Sequence, residues 1–203
     1  MSMTPGQSHE HATEQIRRLM GFVPFAEACE RWIVAGSYRR LRPEVHDIDI
    51  VSIPGAAGGL FGDAGNALWL ALDAAMARGE ISHPPRTCWG ETLRRFMFEF
   101  HAFEVTCCDS TAWPVLVAVK TGPEKFTKGL VTRRCEGGLL PDDLMVAKDA
   151  RGRSWRVWRG RVVAEGEDGL PVVVEPGQQL TFETEREFIE LCCGKWIEPK
   201  ERT

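Results

Sequence analysis

Two aspartates, Asp47 and Asp49, stand two residues apart in the segment Asp47-Ile48-Asp49-Ile50-Val51. Residues at i and i+2 of a strand project from the same face, so the two carboxylates lie side by side while Ile48 and Ile50 face a core. Paired carboxylates suit hard divalent cations, which take oxygen ligands. Two such ions about 3.5–4 Å apart serve in-line phosphoryl transfer, and a third carboxylate from a neighbouring strand would complete the set. Upstream, the apolar run Trp32-Ile33-Val34-Ala35 ends at Gly36-Ser37 and turns into Tyr38-Arg39-Arg40. A strand ending in this way presents backbone N–H groups and a hydroxyl to an anion, and glycine lets the backbone come close. Arg40 can pair with a phosphate oxygen in the same place. Each feature alone has a plainer reading, as a solvated acidic strand face or a basic turn. Their succession specifies a phosphate cradle that feeds a metal-binding pair. His46, beside Asp47, either touches a phosphate or the metal shell, or is a solvated turn histidine.

The elements that must hold these residues can be read from periodicity. Residues 1–10 read as a disordered start. Ile16, Leu19, Met20 and Val23 recur at helical spacing over 11–23, and a short helical continuation past Pro24 reaches about Arg31. Strands follow at 32–35 and 47–51, then a Gly-rich loop over 54–66 and a helix over 67–78 with Leu68, Leu72, Ala75 and Met76 on its buried stripe. Two strands are expected at 94–98 and 100–107, with Phe98, Phe100, Ala102 and Glu104 sharing a face and His101 on the other. Beyond them come a helix over 113–119, a turn at Thr121-Gly122-Pro123, and a second helix over 124–136 that ends at Gly137-Gly138. Strands at 144–148, 155–158, 162–164 and 172–174 read as hairpins, and a final helix spans 184–192. A helix-rich start, a mixed sheet and a strand-rich end together indicate the α+β class.

The 203 residues allow one substantial domain, or a small domain with an appendage. No apolar run reaches the length of a membrane span, and the start has no basic-then-apolar leader, which points to a cytoplasmic protein without membrane partners. Seven cysteines include the vicinal pairs Cys107-Cys108 and Cys192-Cys193. Neighbours on a strand face opposite ways, so reduced, partly buried thiols are expected rather than a zinc site. The net charge of −4 does not mark a dedicated nucleic-acid binder, but the charge is uneven. The stretch 148–161 carries a local +5, the stretch 120–134 a local +4, and the tail after Ala164 is acidic. Within the first of these, Trp155-Arg156-Val157-Trp158-Arg159 interleaves aromatic and basic residues. A nucleic-acid-binding ribbon does this, and so does an ordinary amphipathic hairpin.

The stretch Val34-Ala35-Gly36-Ser37-Tyr38-Arg39-Arg40, with Asp47-Ile48-Asp49 after it, resembles the signature of the polymerase X family of DNA polymerase beta-like nucleotidyltransferases. Further motifs follow in order. Gly90-Glu91-Thr92 with Phe96-Met97 is similar to the strand ahead of that family's third carboxylate, and Phe103-Glu104-Val105 to the carboxylate itself. Thr121-Gly122 with Phe126 and Lys128 resembles the nucleotide-contacting thumb motif. Glu185 to Phe188, Trp196, Glu198-Pro199-Lys200 and Arg202 resemble the C-terminal end. The resemblance covers roughly residues 12–203.

The resemblance implies a nucleotidyltransferase palm with a mixed sheet, helices and an N-terminal helix over residues 1–111, and a small α/β thumb-like subdomain over 112–203. Asp47, Asp49 and Glu104 would be the catalytic residues and hold two Mg²⁺ ions, with Mn²⁺ able to substitute. Gly36, Ser37 and Arg40, with His46, would grip the triphosphate. Thr121, Gly122, Glu124 and Thr127 would lie along the nucleotide. Lys120, Lys128, Arg156 and Arg159 would meet nucleic acid. Partners would be a nucleoside triphosphate and a DNA primer end, and the protein a monomer. A cis peptide after Gly122 is also implied, and Pro123 would make it cheap.

The departures are specific. Glu104 stands where the family has Asp, Ala102 where an orienting arginine is common, Val119-Lys120 where it has an aromatic pair, and His46 where it has glycine. Nothing resembles the family's lyase domain or its DNA-gripping helix-hairpin-helix elements. Two other readings therefore stand beside DNA synthesis. One is a nucleotidyltransferase acting on a small molecule, RNA or protein. The other is a non-catalytic nucleotide-binding module.

Overall fold

Alternation of apolar and polar residues along the first half of the chain produces strands with one face for a core and one for chemistry. The computed structural model describes residues 6–57, 65–85, 88–142, 144–146, 162–164 and 179–203. The architecture is α+β, divided into two compact units, Met1–Asp109 and Ser110–Thr203.

The first unit runs β1 (Gln7–Ser8), α1 (His9–Met20), α2 (Phe25–Ala28), β2 (Cys29–Val34), α3 (Gly36–Arg39), β3 (Glu44–Val45), β4 (Asp47–Pro54), β5 (Ala56–Ala57), β6 (Gly65–Asn66), α4 (Ala67–Ala77), β7 (Cys88–Trp89), β8 (Leu93–Phe98) and β9 (His101–Cys107). Five strands form one mixed sheet in the order β2-β4-β9-β8-β7. Only β4 and β9 pair in parallel; the other neighbours are antiparallel.

The amphipathic α1 and the largely apolar α4 cover one face of that sheet. Ser8 caps α1 by accepting from the His11 N–H, and Asn66 caps α4 by accepting from the Trp69 N–H. Ala12, Ile16 and Leu19 of α1 and Leu68 and Leu72 of α4 meet Ile48, Ile50, Phe96, Phe103 and Val105 in a single core. Each large aliphatic or aromatic side chain buried there contributes about 1.5–3 kcal/mol. Arg94 ties α4 to the sheet. Its guanidinium lies between the rings of Trp69 and Trp89, 4.6 and 4.5 Å from their centroids, and donates to Asp73 Oδ1 at 2.8 Å.

The second unit contains α5 (Trp113–Thr121), α6 (Glu124–Leu130), a 3₁₀ turn (Arg134–Glu136), β10 (Leu144–Val146), β11 (Val162–Ala164), β12 (Gln179–Leu180), α7 (Glu185–Cys193) and a closing 3₁₀ turn (Pro199–Glu201). Helix α5 is apolar all round and buried almost throughout. Val115, Ala118, Phe126, Leu130, Phe188 and Ile189 build the core of this unit. Strands β10, β11 and β12 form an antiparallel sheet.

Several local expectations change. The start is ordered from Gly6: Gln7–Ser8 pairs with Glu44–Val45, and α1 begins at His9 rather than residue 11. Helix α2 stops at Ala28, and β2 takes Cys29 to Arg31 because its antiparallel partner β4 extends to Pro54. Helix α6 ends at Leu130 rather than Glu136, and the chain turns back so that the Leu139 N–H donates to the Gly129 carbonyl. The Gly122–Pro123 peptide is trans. The expected strands at 155–158 and 172–174, and the basic residues Arg156 and Arg159, lie outside the described residues.

Candidate functional site

The second face of the five-stranded sheet carries the acidic residues. Asp49 pairs with Glu104 across the parallel β4–β9 ladder, and Asp47 pairs with Ala102. Side chains of paired residues emerge on the same face, so Asp47, Asp49 and Glu104 belong to one surface, opposite the Ile48, Ile50 and Phe103 core. The two aspartates are half-buried and Glu104 is buried, with 8% of its surface exposed.

The Gly-Ser turn stands directly against this row. The Ala35 N–H donates to the Asp49 carbonyl at 2.8 Å, which ends β2 beside β4 and starts α3 there. Gly36 has φ +61°, in the left-handed region that favours glycine. A β-carbon at Gly36 would fall well inside van der Waals contact of Asp49 Oδ2 and 3.2 Å from its Cγ. Both demands select glycine, so the Asp49 carboxylate and the opening of α3 share one small volume. Ser37 and Arg40 follow on the same turn, half-buried. The N-terminal segment supports α3 from outside. The His9 ring stacks on Tyr38 with centroids 4.3 Å apart, and Thr13 Oγ1 hydrogen-bonds the Tyr38 hydroxyl at 3.1 Å. His46 is exposed, and its Cε1 lies beside Gly6.

The sheet adds one residue that periodicity did not single out. In the antiparallel β8–β9 pair Arg95 stands opposite Glu104. Its Nε donates to Glu104 Oε2 at 3.1 Å, and its Nη2 donates to the same oxygen. Burial lowers the proton affinity of this guanidinium, but the charges of Glu104, Asp47 and Asp49 outweigh it and the net direction is up. A cation therefore already sits in the field of all three carboxylates.

The donor chemistry of Asp47, Asp49 and Glu104 fits a hard divalent ion, and glycine at 36 lets the main chain approach the Asp49 carboxylate where a β-carbon would collide with it. The side chains as they stand are not gathered into a ligand set: among the described residues, no three His, Cys, Asp or Glu side chains form a group that could hold an ion. All seven cysteines are free.

In the second unit the expected nucleotide and nucleic-acid contacts have structural work of their own. Thr121 is fully buried at the end of α5. Thr127 donates its hydroxyl to the Val119 carbonyl at 2.8 Å, joining α6 to α5. A β-carbon on Gly122 would lie 2.8 Å from Thr127 Oγ1 and 2.9 Å from Phe126 Cδ1, so close packing alone demands glycine there. Glu124 and Lys128 are exposed on α6 and Lys120 is half-buried. At the C-terminal end Arg202 is completely buried and donates from Nη1 to Glu185 Oε1 at 2.7 Å, beside the Trp196 ring.

No helix among the described residues is long and apolar enough to cross a membrane. In comparisons with known proteins, no protein-family model matches the chain, and no curated protein matches it by sequence.

Proposed function

We propose that the chain is a two-metal nucleotidyltransferase of the polymerase X type. It would transfer a nucleoside monophosphate from an NTP or dNTP to an acceptor hydroxyl, with a DNA 3′-end as the favoured acceptor. One observation carries the reading: Asp49 and Glu104 are in register on adjacent parallel strands, with the left-handed Gly36 of a Gly-Ser turn packed against the Asp49 carboxylate. A palm with an attached thumb-like unit belongs to the same proposal.

Asp47, Asp49 and Glu104 would hold Mg²⁺ or Mn²⁺, which supplies charge neutralisation at the phosphates and acidity at the acceptor hydroxyl. Ser37, the N–H groups opening α3 and Arg40 bind and orient the triphosphate, so that the α-phosphorus faces the acceptor oxygen. Glu104 helps take the acceptor proton. The acceptor oxygen bonds to the α-phosphorus as the bond to the bridging oxygen breaks, and pyrophosphate leaves. Roles along the nucleotide for Thr121, Gly122, Glu124 and Thr127, and nucleic-acid contacts for Lys120, Lys128, Arg156 and Arg159, complete the proposal.

The test is incubation with labelled nucleotides and Mg²⁺ or Mn²⁺, comparing primed template, single strand and no nucleic acid, with Asp49→Ala alongside. Primer extension and pyrophosphate release that vanish in the variant support the proposal. Pyrophosphate release unchanged in Asp49→Ala overturns it. The acidic balance of −4 favours a second reading, transfer to a small-molecule, RNA or protein acceptor. Binding to DNA should weaken steeply with added salt as counterions are released, whereas binding to a small acceptor should not.

A further inference from the structure

The Arg95–Glu104 ion pair on the acidic face joins residues of unequal exposure. Glu104 has 10% of its side chain exposed and Arg95 has 43%. The carboxylate is enclosed by the sheet, while the guanidinium side already borders water. Nε and Nη2 of Arg95 converge on a single oxygen, Glu104 Oε2. On its other side Arg95 lies within electrostatic reach of Asp47 and Asp49. Glu104 is thus engaged by a protein cation, and no three-residue ligand group is assembled among the described residues. A divalent ion at this row would compete for the same carboxylate and the same field.

We infer that Arg95 is a displaceable internal cation: it offsets part of the negative charge of the Asp47, Asp49 and Glu104 row in the metal-free protein, and a divalent ion loads by pushing it off Glu104. This rests on the metal-site reading above, and adds that loading is a competition. Arg95 stabilises the empty site and lowers its affinity for ions, which makes Glu104 available only when an ion is present to replace the guanidinium.

The test is Mn²⁺ binding by the wild-type chain, Arg95→Met and Arg95→Lys, followed by calorimetry and by the resonance of free Mn²⁺, with thermal melts in chelator and in Mn²⁺. Methionine keeps the aliphatic stem in the strand without the charge. Charge-assisted hydrogen bonds are strong enough that their loss should tighten Mn²⁺ binding on the order of tenfold in Arg95→Met. The same variant should melt lower than wild type in chelator and gain more from Mn²⁺. Arg95→Lys, which keeps the charge but not the planar guanidinium, should bind at an intermediate affinity. It also serves if the methionine variant does not fold.

Equal or weaker Mn²⁺ binding in both variants overturns the inference while leaving the metal site intact. Absence of Mn²⁺ binding in all three proteins overturns the metal site and the displacement together. Repeating the titration in about 1 M KCl, where screening shortens to about 3 Å, separates contact from mere field. A gain that survives the salt supports displacement, and one that disappears overturns it.

Discussion

Gly36 and the Asp49 carboxylate occupy adjoining space so tightly that a single methyl group on the glycine would overlap Asp49 Oδ2. Gly36 also has φ +61°, so alanine there meets two penalties. The left-handed backbone alone costs about 1–2 kcal/mol. The steric conflict must then be relieved by moving Asp49, since the other party is main chain. Gly36→Ala should lose at least that much stability in denaturant unfolding and should also lose Mn²⁺ binding. A variant that is destabilised yet binds Mn²⁺ normally would show that the turn and the carboxylate are merely neighbours.

Arg202 and Glu185 give a second test, confined to the second unit. Arg202 is fully buried, bonded to Glu185 Oε1 and to the Ile197 carbonyl. Removing one partner of a buried pair leaves the other charge without its counter-ion and costs about 3–5 kcal/mol. Arg202→Met and Glu185→Gln should each destabilise the protein strongly, and the double variant by less than the sum. Chemical denaturation of the four proteins closes this cycle. Additive losses would mean the pair does not act as a unit.

What the amino-acid order disclosed follows from how local each determinant is. The Asp47-Ile48-Asp49 alternation and the Gly36-Ser37 turn are set by period and by glycine, and both are in the structure where short-range reasoning puts them. Arg95 was not legible in this way. Its meeting with Glu104 depends on the turn between β8 and β9, which has only two residues, Glu99 and Phe100. A two-residue turn pairs Phe98 with His101, so the even-numbered residues of β8 share a face with the odd-numbered residues of β9. Counting the alternation straight through the turn puts Phe98 with Glu104 and hides Arg95. The register assigns Arg94 to the tryptophan clamp and Arg95 to the acidic row. The order of residues 6–10 was hidden for a related reason, since β1 is held by a partner almost forty residues away, Glu44–Val45. Thr121-Gly122 was legible as a motif, but the packing of α5 against α6 explains that glycine without a ligand.

That same turn carries a third prediction. Glu99 and Phe100 have φ +46° and +71°, and Phe100 is 90% exposed. Two-residue hairpin turns with both central residues in the left-handed region favour glycine at the second position. Phe100→Gly sheds backbone strain and gives up almost no buried surface. It should raise stability by about 1 kcal/mol, or roughly 2–4 °C in melting temperature for a chain of this size. Glu99 should be left in place because it pairs with Arg18. A lower melting temperature would mean that the Phe100 ring has a packing role its exposure does not suggest.

The thiols predict an alkaline limit to stability. Burial, with the nearby Cys107 or Asp109 and Cys107 adding to it, pushes Cys29 and Cys108 up to about 12, and burial with Cys193 does the same for Cys192, from an ordinary value of 9.0. A folded protein that keeps these protons up to about 12, against an unfolded chain that loses them near 9, is fully supported by them below pH 9. That contribution is lost progressively as the pH rises from about 9 to about 12, because the unfolded state binds fewer protons in that window. Guanidinium midpoints should fall between pH 9 and pH 11 more steeply for the wild-type chain than for Cys108→Ala. Lysine and tyrosine titration is common to both proteins and cancels in the comparison. Reaction with a thiol reagent at pH 8 should follow burial, with exposed Cys135 labelled first and Cys107 and Cys192 only on unfolding. Equal pH slopes in the two proteins would mean that Cys108 is as easily ionised in the folded state as in the unfolded one.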